Sequence, residues 1–550
     1  MLILAARGAA AFRRAEAIAL CLYLAIAGWV SLHHEAWTDE AQAWLLARDN
    51  SLPDLLFKRL HYEGTPGLWH LLLWVLCRLH FSYGAMHWAT VLAGGAAAFV
   101  LLRSSPFPLA VRLLLPFSFA LAYQTPIVAR SYSLVPLLAF AICVELDPGK
   151  RRPVRLALLI GLLINTSLLS VFFGLGFAAF YVALQCRADH RPPARTLAAA
   201  GALLVAMCLF AVYTALPAPD VSVGQARALA ANAKIAHALA AITGVTAGCP
   251  ARLPTERGEA SSAPAPGYQY MAWNLAQRRA GETRPGGRLA GALHLASLAF
   301  FPVSSFNLLA LAFYAMLLTW QARNGALAAS LPLLAVIVGG KLLPFNEHHT
   351  ALVWTAVVVA LWLSWRHVPP ERAHWLDMVF YTVLVAVLIE QIAWTGFAAL
   401  YDLGHPFDGS LDAARFLAAD SGARTVAGFN YHSVGVQAYA PQKLYYNQPT
   451  TYWSWSCSGD SDAHLAEVLQ QHPDLVLVGE SYDGDVSWRN QIVKEKPAWA
   501  RNDQDGIEAY VADHGYAPIR RFCGLQPAHF GFSEQTCEVI YAPIGQSPAR

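Results

Sequence analysis

Apolar residues come in long blocks along this chain, and polar residues in short breaks between them. The blocks cover roughly 15–32, 67–80, 85–102, 107–124, 131–147, 154–186 and 195–216, then 289–303, 304–321, 325–343, 349–366 and 374–400. A helix that crosses a bilayer needs about 20 mostly apolar residues, so most blocks predict a span. The block 154–186 is long enough for two crossings and breaks at Asn165-Thr166-Ser167. The blocks 67–80 and 289–303 are short for a span.

After residue 400 the pattern changes. Residues 425–429, 475–478 and 537–541 read as strands, and 411–419 and 464–471 as helices. Alternating strands and helices predict a small α/β domain over 401–550. No Gly-rich phosphate loop follows a strand there, so a nucleotide site is not expected.

Charge orients the blocks. Arg7, Arg13 and Arg14 precede the first block, which reads as an anchor that stays rather than a cleaved signal. Lys150 to Arg155, Arg187 to Arg195, Arg323, and Arg366 to Arg372 form the basic loops. The positive-inside rule puts these and residues 1–14 in the cytoplasm, and 33–66, 217–288 and 401–550 outside. Eleven crossings satisfy that rule if the two short blocks do not span, and 13 result if both do. In the loop 217–288, residues 225–243 suit a surface amphipathic helix, and 250–267 read as a spacer or a gate.

Composition narrows the class. Of 550 residues, 56% are hydrophobic and 14% charged, against roughly 25% charged in an ordinary soluble domain. Lys plus Arg is 39 and Asp plus Glu is 36, a net charge of +3. This excludes a soluble globular protein, a disordered chain and a nucleic-acid binder, which would carry a concentrated basic face. The nine cysteines show no zinc spacing. Cys457, Cys523 and Cys537 lie in the polar C-terminal region, where an oxidising compartment would allow a disulfide of unassigned pairing.

The candidate chemistry gathers just after the first block. Asp39-Glu40 lies in the stretch from Trp37 to Asp49, near the start of an expected helix, where carboxylates suit the helix dipole. Some 20 residues on comes His61-Tyr62-Glu63-Gly64-Thr65-Pro66-Gly67-Leu68. Trp37, Trp44, Tyr62 and Trp69 suit an interfacial aromatic belt or a sugar-stacking surface, and His33 and His34 suit interfacial positions.

This arrangement resembles the GT-C superfamily of integral-membrane glycosyltransferases, in particular its family 39-like members. These include protein O-mannosyltransferases and lipid A aminoarabinose transferases. The resemblance rests on Asp39-Glu40 in the first external loop and on Glu63 ahead of Pro66, where a single proline replaces the usual pair. It extends to Ala129-Arg130-Ser131-Tyr132-Ser133-Leu134 and to Asn346-Glu347-His348-His349. It implies a polytopic α-helical GT-C fold over 1–400, with about 11–13 transmembrane helices and an extracytoplasmic C-terminal domain. The implied location is the bacterial inner membrane.

The implied reaction moves a sugar from a polyprenyl-phosphate donor in the bilayer to a hydroxyl acceptor on a glycan, lipid or protein, with inversion. A hydroxyl is too weakly acidic to attack unaided, so a carboxylate base is needed, and Asp39 is the candidate. Glu63 orients the acceptor, holds a divalent cation, or both. Arg130, Lys341, His348 and His349 are candidates for the leaving phosphate, which needs cationic stabilisation. Glu40, Tyr62 and His61 are candidate substrate contacts. Any metal would be Mg²⁺ or Mn²⁺ on Asp39, Glu63 and His348. Two other classes fit the layout: a flippase for a lipid-linked substrate, and a non-catalytic subunit of a glycan assembly. A transporter is expected to show repeats and mid-span charges; no repeat is visible, and the carboxylates lie at the external side.

Overall fold

The computed structural model of the chain describes residues 2–146, 152–186, 192–216, 218, 307–343, 349–368, 375–419, 424–456, 465–486, 504–528 and 531–545. Apart from residue 218, the expectations for the loop 217–288 and the block 289–303 lie outside these residues, as do His348 and Cys457.

Among the described residues, five helices are long and apolar enough to cross a membrane: Arg13–Ser31, Ala85–Ser104, Leu168–Cys186, Ala194–Ala215 and Trp375–Gly404. The first is the apolar part of a helix that runs Leu2–Ser31. Shorter apolar helices cover Leu68–Arg78, Ser131–Glu145, Pro153–Ile164, Leu327–Leu342 and Thr350–Trp365. The chain is thus a mainly helical, membrane-embedded protein with a small C-terminal sheet.

Two local expectations hold. The long block parts at Asn165, whose side-chain amide donates to Gly161 O (2.8 Å) and to Met207 O (3.1 Å), closing one helix and tying it to a neighbour. The block 67–80 forms only the 11-residue helix Leu68–Arg78, roughly 16 Å long at 1.5 Å per residue, too short to span.

The block 107–124 differs from a single span. It breaks into an α-turn Leu109–Leu114, a 3₁₀ turn Leu115–Phe117 and a π-turn Ala120–Gln124. Pro116 lacks an N–H for the helix ladder. Ser118 Oγ donates to Leu115 O (2.8 Å) and accepts from Trp354 Nε1 (2.9 Å). The partner helix, Thr350–Trp365, is buried from Thr350 to Ser364. A helix apolar all round is a buried core helix or a membrane span, and this one packs within the largest apolar cluster.

The C-terminal unit has one four-stranded sheet in the order β1-β2-β4-β3, with β1 Val426–Phe429, β2 Leu475–Val486, β3 Tyr516–Ala528 and β4 Gly531–Pro543. β1 runs parallel to β2, and the other pairs are antiparallel. The three expected strands are present. β3 escaped the sequence reading because Pro518, Arg520, Arg521 and Pro527 break its apolar pattern; pairing with β4 holds it. Cys523 and Cys537 face each other across β3 and β4 and form a disulfide.

This unit is not a detached domain. Val434, Ala438, Tyr452 and Trp453 share one buried cluster with Ala36, Trp44, Leu45, Trp69 and Ala129. Inside the unit, a Cβ on Gly435 would come within 2.1 Å of Ser410 Oγ, so glycine lets the two segments pack closely there.

Candidate active site at the acidic helix

The helix Thr38–Asp49 begins with Asp39 and Glu40 in its first turn. Both carboxylates suit the positive end of the helix dipole. Consecutive residues on a helix point about 100° apart, and here they enter different environments.

Asp39 faces an open side. Arg130 Nη1 donates to its Oδ2 in an ion pair whose two side chains are 22% and 26% exposed. Tyr431 Oη donates to Oδ1 at 2.7 Å. Arg130 also stands 4.9 Å from the Trp37 ring and 5.8 Å from the Tyr132 ring. A guanidinium held between a carboxylate and two aromatic faces is fixed in direction.

Glu63 reaches the same site through Gln42, one helical turn beyond Asp39. Gln42 Nε2 donates to Glu63 Oε1 at 2.8 Å and to Trp453 O at 3.0 Å, while Gln42 Oε1 accepts from Trp453 N at 2.8 Å. The two backbone bonds fix the amide, so its remaining N–H must point to Glu63. Gly64, at φ +61°, ends the short helix Leu60–Glu63 in the left-handed region and turns the chain towards Pro66. Burial first, then the Asp39 charge, push the Glu63 carboxyl up to about 7, against the opposing effects of Gln42 and Arg130. Burial first, then Asp39 and Glu63, raise the Tyr431 phenol well above its usual range, so it stays a donor.

Glu40 turns the other way and is fully buried. Its Oε1 accepts from Ala129 N (2.5 Å) and lies 3.2 Å from His87 Nε2. Its Oε2 accepts from Trp37 N (2.8 Å) and lies 3.5 Å from His34 Nε2. His34 Nδ1 meets Asp402 Oδ2 at 2.9 Å, and Tyr123 Oη donates to the same oxygen at 3.0 Å. Burial opposes charge on His34, but Asp402 and then Glu40 lift it to about 10. Burial opposes charge on Glu40 too, yet the His34 and His87 bonds hold it below the usual carboxylate range.

The remaining expected residues are dispersed. His349 is half-buried, its ring 6.3 Å from that of Tyr132, which places it next to the Arg130 cluster. His61 Nδ1 donates to Leu216 O at 2.7 Å and its ring meets Tyr213 edge-on at 5.1 Å, so it ties the loop to the end of the helix Ala194–Ala215. Tyr62 is half-buried beside Glu63. Lys341 is half-buried in the last turn of the helix Leu331–Leu342.

Other expectations are corrected. Trp37, Trp44 and Trp69 are 5%, 3% and 1% exposed, packed in protein rather than ranged in a belt. His34 is not interfacial but sits inside the ionic cluster. Tyr431, Gln42, Trp453 and His87 were missed. The first and third lie some 400 residues from Asp39, and nothing in their local sequence marks the contact.

A divalent cation fits poorly at Asp39. Both its oxygens already bond a guanidinium or a phenol, and Mg²⁺ prefers a shell of oxygen ligands to a site beside a fixed cation. Compared with protein families, curated proteins and solved structures, the chain matches none.

Proposed function

We propose that this membrane-embedded protein is a GT-C-type inverting glycosyltransferase of a bacterial inner membrane, with 11–13 crossings and its C-terminal unit outside. It moves a sugar from a polyprenyl-phosphate donor to a hydroxyl of a glycan, lipid or protein. The observation that carries this reading is one site holding a carboxylate, a second carboxyl with a raised pKa, and a fixed guanidinium: Asp39, Glu63 and Arg130.

In the resting site Arg130 neutralises Asp39. A donor phosphate competes for that guanidinium, since Arg binds phosphate and carboxylate through the same fork. Asp39 is thereby released beside the acceptor hydroxyl and takes its proton as the oxygen attacks the anomeric carbon. The bond from that carbon to the phosphate oxygen breaks, and the polyprenyl phosphate leaves with its charge balanced by Arg130, with His349 next to it. One displacement inverts the anomeric centre. Glu63, largely protonated below pH 7, donates a hydrogen bond that orients the acceptor.

Purified full-length protein in lipid, given radiolabelled polyprenyl-phosphate sugars and envelope glycan or lipid acceptors, is expected to form a labelled glycoside. Asp39→Asn is expected to lower it about 10²–10⁴-fold while remaining folded. Undiminished transfer by that variant overturns the assignment of the base, and the absence of transfer from any such donor overturns the reaction class.

A further inference from the structure

The sealed cluster behind Asp39 has the donors of a zinc site. Among the described residues, His34, Glu40 and His87 form the one group of three potential ligands whose donor atoms all lie within 4.8 Å of one another. They are 8%, 0% and 7% exposed. They come from the loop after the first helix, the first turn of Thr38–Asp49 and the helix Ala85–Ser104.

The distances discriminate. His34 Nδ1 to Asp402 Oδ2 is 2.9 Å, as expected for a charge-assisted hydrogen bond of about 2.7–2.9 Å. On the Glu40 side the spacings are 3.5 Å from His34 Nε2 and 3.2 Å from His87 Nε2. Both are long for such bonds. Bonds of about 2.1 Å to one tetrahedral zinc set its ligand atoms about 3.4 Å apart. The spacing from each Glu40 oxygen to its imidazole, 3.5 Å at Oε2 and 3.2 Å at Oε1, lies close to that edge.

The surroundings agree. A metal-bound histidine usually gives its other ring N–H to a carboxylate, and Asp402 occupies that place on His34, itself anchored by Tyr123. Two carboxylates, Glu40 and Asp402, are buried together beside these imidazoles. A divalent cation with two neutral imidazoles balances them, and buried charge needs balance. The two rings stand 5.5 Å apart and nearly perpendicular, and Phe407 packs on His34 at 4.5 Å.

We infer that His34, Glu40 and His87 bind one structural Zn²⁺, in place of the proton that His34 otherwise shares with Glu40. Glu40 turns Oε2 towards His34 and Oε1 towards His87, so it holds the ion through both oxygens. The ion joins three elements and, because Glu40 Oε1 also holds the Ala129 N–H, fixes the chain that presents Arg130 to Asp39. This site is separate from Asp39 and Glu63, and its test reads no sugar transfer.

The test is the metal content of the full-length protein purified in detergent without chelator and measured by inductively coupled plasma mass spectrometry. One zinc per chain is expected in the wild type and in Asp39→Asn, and none in His87→Gln. Should His87→Gln not fold, wild-type protein stripped by a chelator and titrated with ZnCl₂ is expected to take up one equivalent and to gain thermal stability. A folded wild-type chain that holds no zinc and takes none up overturns the inference, because the cluster is then a proton network alone. Zinc retained by folded His87→Gln, or lost from Asp39→Asn, overturns it as well by moving the ion elsewhere.

Discussion

Asp39 and Glu40 are neighbours in sequence and opposites in structure. Asp39 lies in a partly open site, bonded by the side chains of Arg130 and Tyr431. Glu40 lies in a buried cluster, bonded by two backbone N–H groups and two imidazoles. The first arrangement leaves a carboxylate able to exchange partners, as the proposed catalysis requires. The second locks a carboxylate in place, as a hinge between elements requires. A paired acidic motif thus divides its labour by the roughly 100° turn between consecutive helical residues.

That division can be broken experimentally. The largest expected effect is on Asp39→Asn, where loss of a general base lowers transfer about 10²–10⁴-fold with little change in thermal stability. Glu40→Gln is expected to act chiefly on stability. It leaves two buried imidazoles without their carboxylate and costs about 3–5 kcal/mol of stability, read as a lower unfolding midpoint in detergent. If both variants lose activity alone, or both lose stability alone, the two sides of the helix are not distinct.

Gln42→Ala comes next. It leaves the Trp453 backbone groups and Glu63 without partners, at a cost of about 1–3 kcal/mol. Its signature is faster proteolysis of the C-terminal unit, since Gln42 pins that unit to the acidic helix. Unchanged proteolysis would show that the apolar contacts alone hold the two together.

The smallest expected effect is on pH dependence. The Glu63 carboxyl titrates near 7 in the folded chain and near 4.5 ordinarily. Between those values the folded state holds more protons than the unfolded one. The Glu63 contribution to stability therefore falls as pH rises from about 4.5 to about 7, and is level above that. Unfolding midpoints measured across this range are expected to show a downward slope that Glu63→Gln removes. An identical slope in both proteins would mean that Glu63 is not buried as described.

The local pattern was legible where it depends on local physics. Block length marked the helices Ala85–Ser104, Ala194–Ala215 and Trp375–Gly404. Asn165 marked a break, and the alternation after residue 400 marked three of the four strands. The fragmentation of 107–124 was not legible, because Ser118 bonds a tryptophan 236 residues away. For the same reason the sequence pointed to Asp39, Glu63 and Arg130 but not to Tyr431, Gln42 or His87.

The sequence by itself determined that this chain lives in a membrane and that its scarce carboxylates gather after the first helix. Hydrophobic run length and charge placement are properties of consecutive residues, and water and lipid read them directly. Only the tertiary structure decided which carboxylate is open and which is sealed. That choice depends on what packs against each side of one helical turn: Arg130 and Tyr431 on one, His34, His87 and the Ala129 amide on the other. Those partners lie up to 392 residues away, and only folding brings them to within hydrogen-bond reach.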